Sequence, residues 1–258
     1  MAMTKQEAIK ALQTGEFLYV AYAHGTKLPY VTCDEESFND QAWIFATEEE
    51  IKEYGKKKLE DKLLLMGMRY ERKDFPKLYG LLYSVGINSI VWNKDGERME
   101  IDLAEVAKPA DVSKIEPAKR PLMNPSLQLS AMYFMQELRR PVQKEERKNM
   151  RELEEELVAN LVKAEFLVGI AGNPEDPKKI NIPYLKNKEG KILQPVFTDI
   201  FEFEKFARGK QLRAAKVPFA KLLDLLMKQA DGIAVNPMGF NLMLNKDQVK
   251  KMMGIREN

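Results

Sequence analysis

The pattern of apolar and polar positions repeats along this chain. Near residues 5–13 and again near 147–163, a charged amphipathic helix leads into a short apolar strand, and Thr4 with Glu7 predicts a capping box at the start of the first helix. In both halves the pattern then predicts two further strands, two helices and a final hairpin. In the second half it also predicts a strand at 212–217, followed by a helix whose apolar stripe runs from Phe219 to Ala230. We therefore predict an α+β (mixed α/β) fold of two tandem repeats, each with a five- to six-stranded mixed sheet and helices, joined by a helical linker.

The two halves can be aligned residue by residue. Residues 195–252 repeat residues 43–106 in divergent form. Asn236 and Gly239 are the ends of a predicted type I turn with Pro at its second position, and Asn93 and Gly96 keep those ends. The other matched pairs are Phe17 with Phe166, Leu18 with Leu167, Phe45 with Phe197, Tyr54 with Phe206, Phe75 with Phe219, Leu78 with Leu222, Ile90 with Ile233, and Ile101 with Leu244.

Predicted helix caps fall at equivalent places after each turn. Asn245 with Gln248, and Asp102 with Glu105, put a capping residue three positions before its partner. Two unrelated stretches would rarely share a turn and a cap in register, so we interpret the chain as an internal duplication. The predicted division is a divergent first repeat at 1–106, a linker at 107–146 and a second repeat at 147–258.

The linker carries a predicted helix at 126–140, between Ser126 and Pro141. Its apolar residues lie on two sides, and a helix with so wide an apolar surface needs contacts on two faces. Such a helix either wedges between the two repeats or pairs with a second subunit. The preferred prediction is that it binds a partner protein or a second copy of the chain, and that truncating Tyr133 weakens association with little effect on folding. The residues predicted to make the contact are Leu129, Met132, Tyr133 and Gln136.

The second repeat resembles the N-terminal domain of the SseB-like (enhanced serine sensitivity) family of bacterial proteins. The residues that carry the resemblance are 195–198 (PVFT), 217–219 (VPF), 230–233 (ADGI) and 236–239 (NPMG). The first repeat departs from them at Trp43, Ser89 and Lys94, so its membership depends on the internal alignment. The resemblance covers residues 164–253 and implies a bacterial cytoplasmic protein for which the family provides no catalytic residue.

Composition narrows the possible functions. With 41 basic and 39 acidic residues, the formal net charge of +2 gives no electrostatic case for nucleic-acid binding. No apolar run is long enough for a transmembrane helix, and the first residues lack the apolar centre of a signal peptide. A single cysteine fits a reducing compartment. We expect a cytoplasmic protein that binds neither nucleic acid nor membrane.

Few residues could support catalysis. His24 is the one histidine and Cys33 the one cysteine, too few for a zinc site, and the sequence has neither a Walker loop nor a GxGxxG motif. No cofactor is predicted.

The preferred hypothesis is a non-catalytic protein-binding or self-associating module. The alternative is a small-molecule sensor that binds a metabolite between the repeats. The third is a hydrolase that uses His24 or Cys33.

Overall fold

The computed structural model describes residues 3–116, 119–172 and 181–254. The chain divides into two compact units. Unit 1 comprises residues 1–116 and 132–150, and unit 2 comprises residues 117–131 and 151–258. One helix of the linker contributes residues to both units.

Unit 1 contains a seven-stranded mixed sheet. The main strands lie in the order β5-β1-β4-β6-β7, with β2 paired to β1 and β3 paired to β4. Among the described residues of this unit, β4 and β6 form the one parallel pair. The elements are α1 (Lys5–Thr14), β1 (Phe17–Ala23), β2 (Leu28–Pro29), β3 (Val31–Cys33), β4 (Asp40–Phe45), α2 (Glu48–Glu60), β5 (Leu65–Glu71), α3 (Phe75–Ser84), β6 (Ser89–Lys94), β7 (Glu97–Asp102) and α4 (Leu103–Val106).

Unit 2 contains a six-stranded mixed sheet in the order β11-β8-β10-β12-β13, with β9 paired to β10. Its parallel pair is β10 with β12. The linker helix α5 (Pro125–Leu138) enters this unit with its first half. The other elements are α6 (Met150–Leu161), β8 (Glu165–Ile170), β9 (Leu185–Lys186), β10 (Ile192–Phe197), α7 (Ile200–Ala207), β11 (Arg213–Pro218), α8 (Leu222–Leu225), β12 (Gly232–Val235), β13 (Leu242–Asn245) and α9 (Lys246–Met252).

The two sheets have the same strand order and the same single parallel pair. In the final hairpins, Ile90 pairs with Ile101 and Ile233 pairs with Leu244, which are the matches that the sequence alignment predicts. The predicted α+β fold with two tandem mixed sheets is confirmed. The first sheet has seven strands, one more than predicted, because the segment 65–71 forms a strand and residues 28–33 form two short strands, β2 and β3.

The alignment of the first strands is wrong by one residue. Phe45 pairs with Tyr19, whereas its counterpart Phe197 pairs with Leu167. Leu18 therefore corresponds to Phe166 and not to Leu167. Both strands are largely buried, with little alternation of polar residues, so a one-residue shift costs no hydrophobic match in the sequence.

The apolar clusters beneath helices α2 and α7 correspond between the two units more closely than the first strands do. In unit 1 the buried cluster includes Phe45, Ile51 and Tyr54. In unit 2 it consists of Leu167, Phe197, Phe203 and Phe206. Because α2 and α7 follow equivalent strands and begin at equivalent caps, Thr47 and Asp199, the same helical positions cover both sheets.

Several predicted helix boundaries change. Helix α5 begins at Pro125 and not after Ser126, since proline suits the first helical position, and it ends at Leu138. The helix predicted to continue to Ala230 ends at Leu225. Asp102 makes no side-chain cap, whereas Thr4 with Glu7 and Asn245 with Gln248 form the predicted capping boxes.

Candidate interaction site

Strand β5 lies at one edge of the sheet in unit 1, and in the described part of the chain it pairs with β1 alone. Hydrogen bonds from His24 N to Leu64 O (2.9 Å) and from Arg72 N to Glu16 O (3.1 Å) establish which positions face β1. In an antiparallel pair these positions alternate. The N–H and C=O groups of Leu65, Gly67, Arg69 and Glu71 therefore point away from the sheet.

The two faces of β5 differ. Leu64 immediately precedes the strand, and Met66 and Met68 lie within it. These three side chains share one face and are 47%, 36% and 42% exposed, respectively. On the opposite face, a Cβ added to Gly67 would lie 3.1 Å from Ile51 Cγ2 of helix α2, so the helix covers that position closely. We call the outward-facing backbone of residues 65–71, together with this apolar row, the β5 edge. Unpaired backbone groups beside exposed apolar side chains make it a template for another strand.

The equivalent edge in unit 2 is blocked. In β11, Arg213 stands where β5 has Met66, and Pro218 stands where β5 has Glu71. Proline has no N–H to donate, and the Lys216 Nζ donates to the Arg120 carbonyl at 2.8 Å. Lysine and proline are residues that natural proteins use to protect sheet edges. At the far ends of the sheets, β7 is mostly charged and β13 has four residues.

Charges along the β5 edge are internally compensated. The Arg69 guanidinium stacks on the Phe17 ring, 3.7 Å from its centroid. Glu71 forms an ion pair with Lys73 at 2.8 Å, and this partner holds the pKa of the Glu71 carboxyl below its usual value. The edge therefore favours a partner through backbone and apolar contacts more than through charge.

The structure places the four residues predicted from the linker helix as follows. Met132 is buried, and Leu129, Tyr133 and Gln136 are half-buried. The Tyr133 hydroxyl donates to Asp40 Oδ1 at 2.7 Å. The Gln136 amide accepts from Val31 N at 3.0 Å and donates to Val31 O at 3.1 Å. These contacts attach the second half of α5 to unit 1, and a role of the four residues in partner binding stays a prediction.

The residues of the hydrolase hypothesis lie in exposed positions. His24 follows β1 in a turn, and Cys33 ends β3 with its thiol donating to the Asp34 carbonyl at 3.5 Å. Within the ranges that the structure covers, no group of three or more His, Cys, Asp and Glu side chains is placed to hold a metal ion.

Unit 2 contains a buried polar cluster that the sequence did not reveal, at the carboxyl ends of the parallel strands β10 and β12. Asp199 caps helix α7 by accepting from Glu202 N at 2.8 Å, and it also accepts from the Thr198 hydroxyl and the Gln128 amide. Asn236 bonds both the amide and the hydroxyl of Thr198. Burial raises the pKa of the Asp199 carboxyl. The cluster attaches the first half of α5, through Gln128, to the sheet of unit 2.

Glu202 is the least compensated member of this cluster. Its Oε1 pairs with Lys205 Nζ at 2.5 Å, while its Oε2 has no hydrogen-bond partner among the described residues. Burial raises its pKa, and Lys205 offsets part of that shift. A Cβ on Gly239 would lie 2.8 Å from Oε2, so any larger residue there would displace the Glu202 carboxylate. The side chains of this cluster are at most 2% exposed, so the cluster lies inside unit 2.

Unit 1 also has surface cavities. One of about 150 Å³ is lined by aromatic and charged residues that include Tyr54 and Arg98. Another, of about 50 Å³, includes His24 and Arg139. Small-molecule sites usually have volumes above about 300 Å³. These cavities therefore favour a small-molecule role less than the β5 edge favours a protein partner.

Comparison with known proteins places a family match in the second half of the chain. Residues 144–251 match the SseB protein N-terminal domain, which supports the resemblance inferred from the motifs over that segment. No curated protein matches the chain. No helix in the described ranges is long and apolar enough to cross a membrane.

Two solved structures are distantly similar. Tic22 from Anabaena, described as a protein-transport protein, shares 9% identity over 99% of this chain and 100% of its own, with a TM-score of 0.22. Tic22 from Plasmodium falciparum shares 10% identity over 95% of this chain and 94% of its own, also with a TM-score of 0.22. Scores this low carry no argument about fold or function.

Proposed function

We propose that this chain is a non-catalytic protein-binding module that captures an extended segment of polypeptide along the β5 edge. The single observation that carries the proposal is the row of outward-facing backbone groups at Leu65, Gly67 and Arg69, flanked by exposed Leu64, Met66 and Met68. Strand addition of this kind obtains affinity from main-chain hydrogen bonds and specificity from alternate side chains. From the SseB match alone, we infer that the module acts in the bacterial cytoplasm.

The energetics suit a reversible interaction. Each added main-chain hydrogen bond contributes a net ~1 kcal/mol. Burying what remains exposed of three apolar side chains contributes on the order of 1 kcal/mol each. Ordering a flexible peptide on the edge offsets part of this sum. We therefore expect affinity in the micromolar range for a single extended segment.

A selection of peptides tests this function without knowledge of the natural partner. Random peptides displayed on phage are selected against the full chain, and the enriched peptides are then measured against two variants. Met66→Lys with Met68→Lys should abolish binding, because two lysines would have to be desolvated beside the added strand. Met243→Lys is the matched control, since Met243 is a 48%-exposed methionine on the edge strand β13. Enriched peptides that bind both variants like the unaltered chain would exclude the β5 edge.

The other hypotheses and the sequence-based division stay as proposals. A small-molecule sensor is tested by thermal shift with amino acids and nucleotides, since a ligand that binds only the native state raises the melting temperature. A hydrolase that uses His24 or Cys33 requires that His24→Ala with Cys33→Ala abolish activity. The division into 1–106, 107–146 and 147–258 remains our proposal for the limits of the two repeats.

A further inference from the structure

We infer that the segment bound at the β5 edge is β5 of a second copy of this chain, paired antiparallel so that Met68 faces Met68 across a two-fold axis. The inference rests on the proposed function and names its partner. It follows from three observations. The outward-facing backbone groups restrict the register, the side chains of two copies of β5 are complementary in that register, and helix α2 leaves room for the pairing.

The backbone restricts the register. Residues 65, 67, 69 and 71 point outward, so an antiparallel copy must place odd-numbered residues opposite odd-numbered residues. Strand β5 covers Leu65–Glu71, and Met68 is its centre. With Met68 on the two-fold axis, the strand overlaps its copy over its whole length, and every outward-facing residue exchanges hydrogen bonds. A register centred on Gly67 leaves Glu71 opposite Leu63, which lies outside the strand.

The side chains are self-complementary in this register. On the apolar face, Met68 meets Met68 of the second copy and Met66 meets Tyr70. On the other face, Leu65 meets Glu71, and Arg69 meets Gly67, over which Ile51 of helix α2 packs. No like charges lie directly opposite each other, which is the arrangement that destabilises strand pairs. The two Arg69 side chains are diagonal neighbours, and stacking on Phe17 directs each guanidinium toward its own β1.

The helices leave enough space for this pairing. Helix α2 packs over β5, β1 and β4 and contacts β5 most, so its axis lies between β5 and β1. In the paired arrangement, the two α2 axes are therefore two to three strand spacings apart, about 10–14 Å at ~4.8 Å each. Two helices of about 10 Å diameter fit side by side at that separation. Helix α2 therefore does not prevent the sheets from joining.

Cysteine cross-linking tests both the partner and the register. In this register position 68 is a non-hydrogen-bonded pair with Cα atoms about 4.5 Å apart, within the range of a disulfide. In a Cys33→Ser background, Met68→Cys should form a covalent dimer under mild oxidation at least about tenfold faster than Met66→Cys, which faces Tyr70. The two positions are similarly exposed, so the second variant controls for random collision. Circular dichroism verifies that both variants fold.

The mass of the unaltered chain in solution completes the test. We expect twice the mass of one chain, and we expect Met68→Lys, which sets lysine opposite lysine, to halve it. Equal cross-linking rates for the two cysteine variants, or a monomeric unaltered chain, would overturn the inference. If the chain is monomeric but selected peptides still bind at the β5 edge, the second-copy inference fails and the proposed function stands. If those peptides also bind the lysine variants, both fail.

Discussion

Glu202 shows at the residue scale how one side chain links burial to pH. Its carboxyl is 2% exposed, and burial raises its pKa above the value in the unfolded chain. A carboxyl with a raised folded-state pKa contributes stability that is fully present below its unfolded pKa of about 4.3 and is lost as the pH rises through the folded-state pKa. The charged form at neutral pH is therefore a cost to unit 2.

We expect Glu202→Gln to remove this pH dependence. The amide keeps an acceptor for Lys205 without a buried charge. Relative to the unaltered chain, the free energy of unfolding of the variant should rise as the pH increases from about 4 toward neutrality. Urea denaturation at a series of pH values measures it. Glu204→Gln, an exposed change on the same helix, is the control, and a Glu202→Gln difference that is constant across pH would contradict the expectation.

At the element scale, helix α5 shows why a contact surface is difficult to identify from sequence. Its wide apolar surface predicts that it needs neighbours on two sides. The sequence could not show that Gln128 bonds Asp199, 71 residues away, or that Gln136 bonds Val31, 105 residues away. Both contacts join groups that only the folded chain brings together. The apolar pattern therefore predicted that the helix needs neighbours, but it could not identify the residues that hydrogen-bond to it.

The contact between Tyr133 and Asp40 changes the effect expected from substituting Tyr133. Tyr133→Phe removes the hydroxyl that donates to Asp40 and keeps the ring, so we expect the free energy of unfolding to fall by about 1 kcal/mol. Chemical denaturation measures it, with Tyr184→Phe, a 50%-exposed tyrosine, as control. If Tyr133→Phe changes solution mass and leaves stability unaltered, Tyr133 acts in association, as the sequence alone predicted.

Local signals were predictable and long-range ones were not. The capping boxes at Thr4 and Asn245 form as predicted, because each depends on residues three positions apart. The helix predicted to reach Ala230 ends at Leu225. Beyond that end, Met227 N donates a hydrogen bond to the side chain of Gln194, a residue distant in the sequence. Strand β5 was missed because methionine, glycine and arginine favour strands weakly. The signal that could have found it is the alternation of Leu64, Met66 and Met68, at the position equivalent to the strand predicted at 212–217 in the second half of the chain.

At the scale of the whole molecule, the two sheets share their main strand order but have different edges. The sheet of unit 1 has an open edge at β5, and the sheet of unit 2 carries Arg213 and Pro218 at β11. Among the edge strands that the structure describes, β11 is blocked, β7 is mostly charged and β13 is short, which leaves β5 as the long apolar edge. One such edge per chain allows a closed pair and nothing larger. A chain with two open edges has no such limit, because each bound copy offers another edge. Blocking one edge therefore sets the size of the assembly.

Exchanging edge residues between the repeats tests this argument. Glu71 has φ −85° and ψ 154°, and its N–H points outward, so Glu71→Pro should close the β5 edge without disturbing β1 and yield a monomer. The reciprocal change, Arg213→Met with Pro218→Glu, opens β11 and should yield species larger than a dimer. Sedimentation velocity distinguishes the outcomes, and combining Glu71→Pro with the reciprocal change should return the assembly to a dimer, now through β11. Larger species that persist in the combined variant would mean that association does not use these edges, since a single open edge per chain permits only pairs.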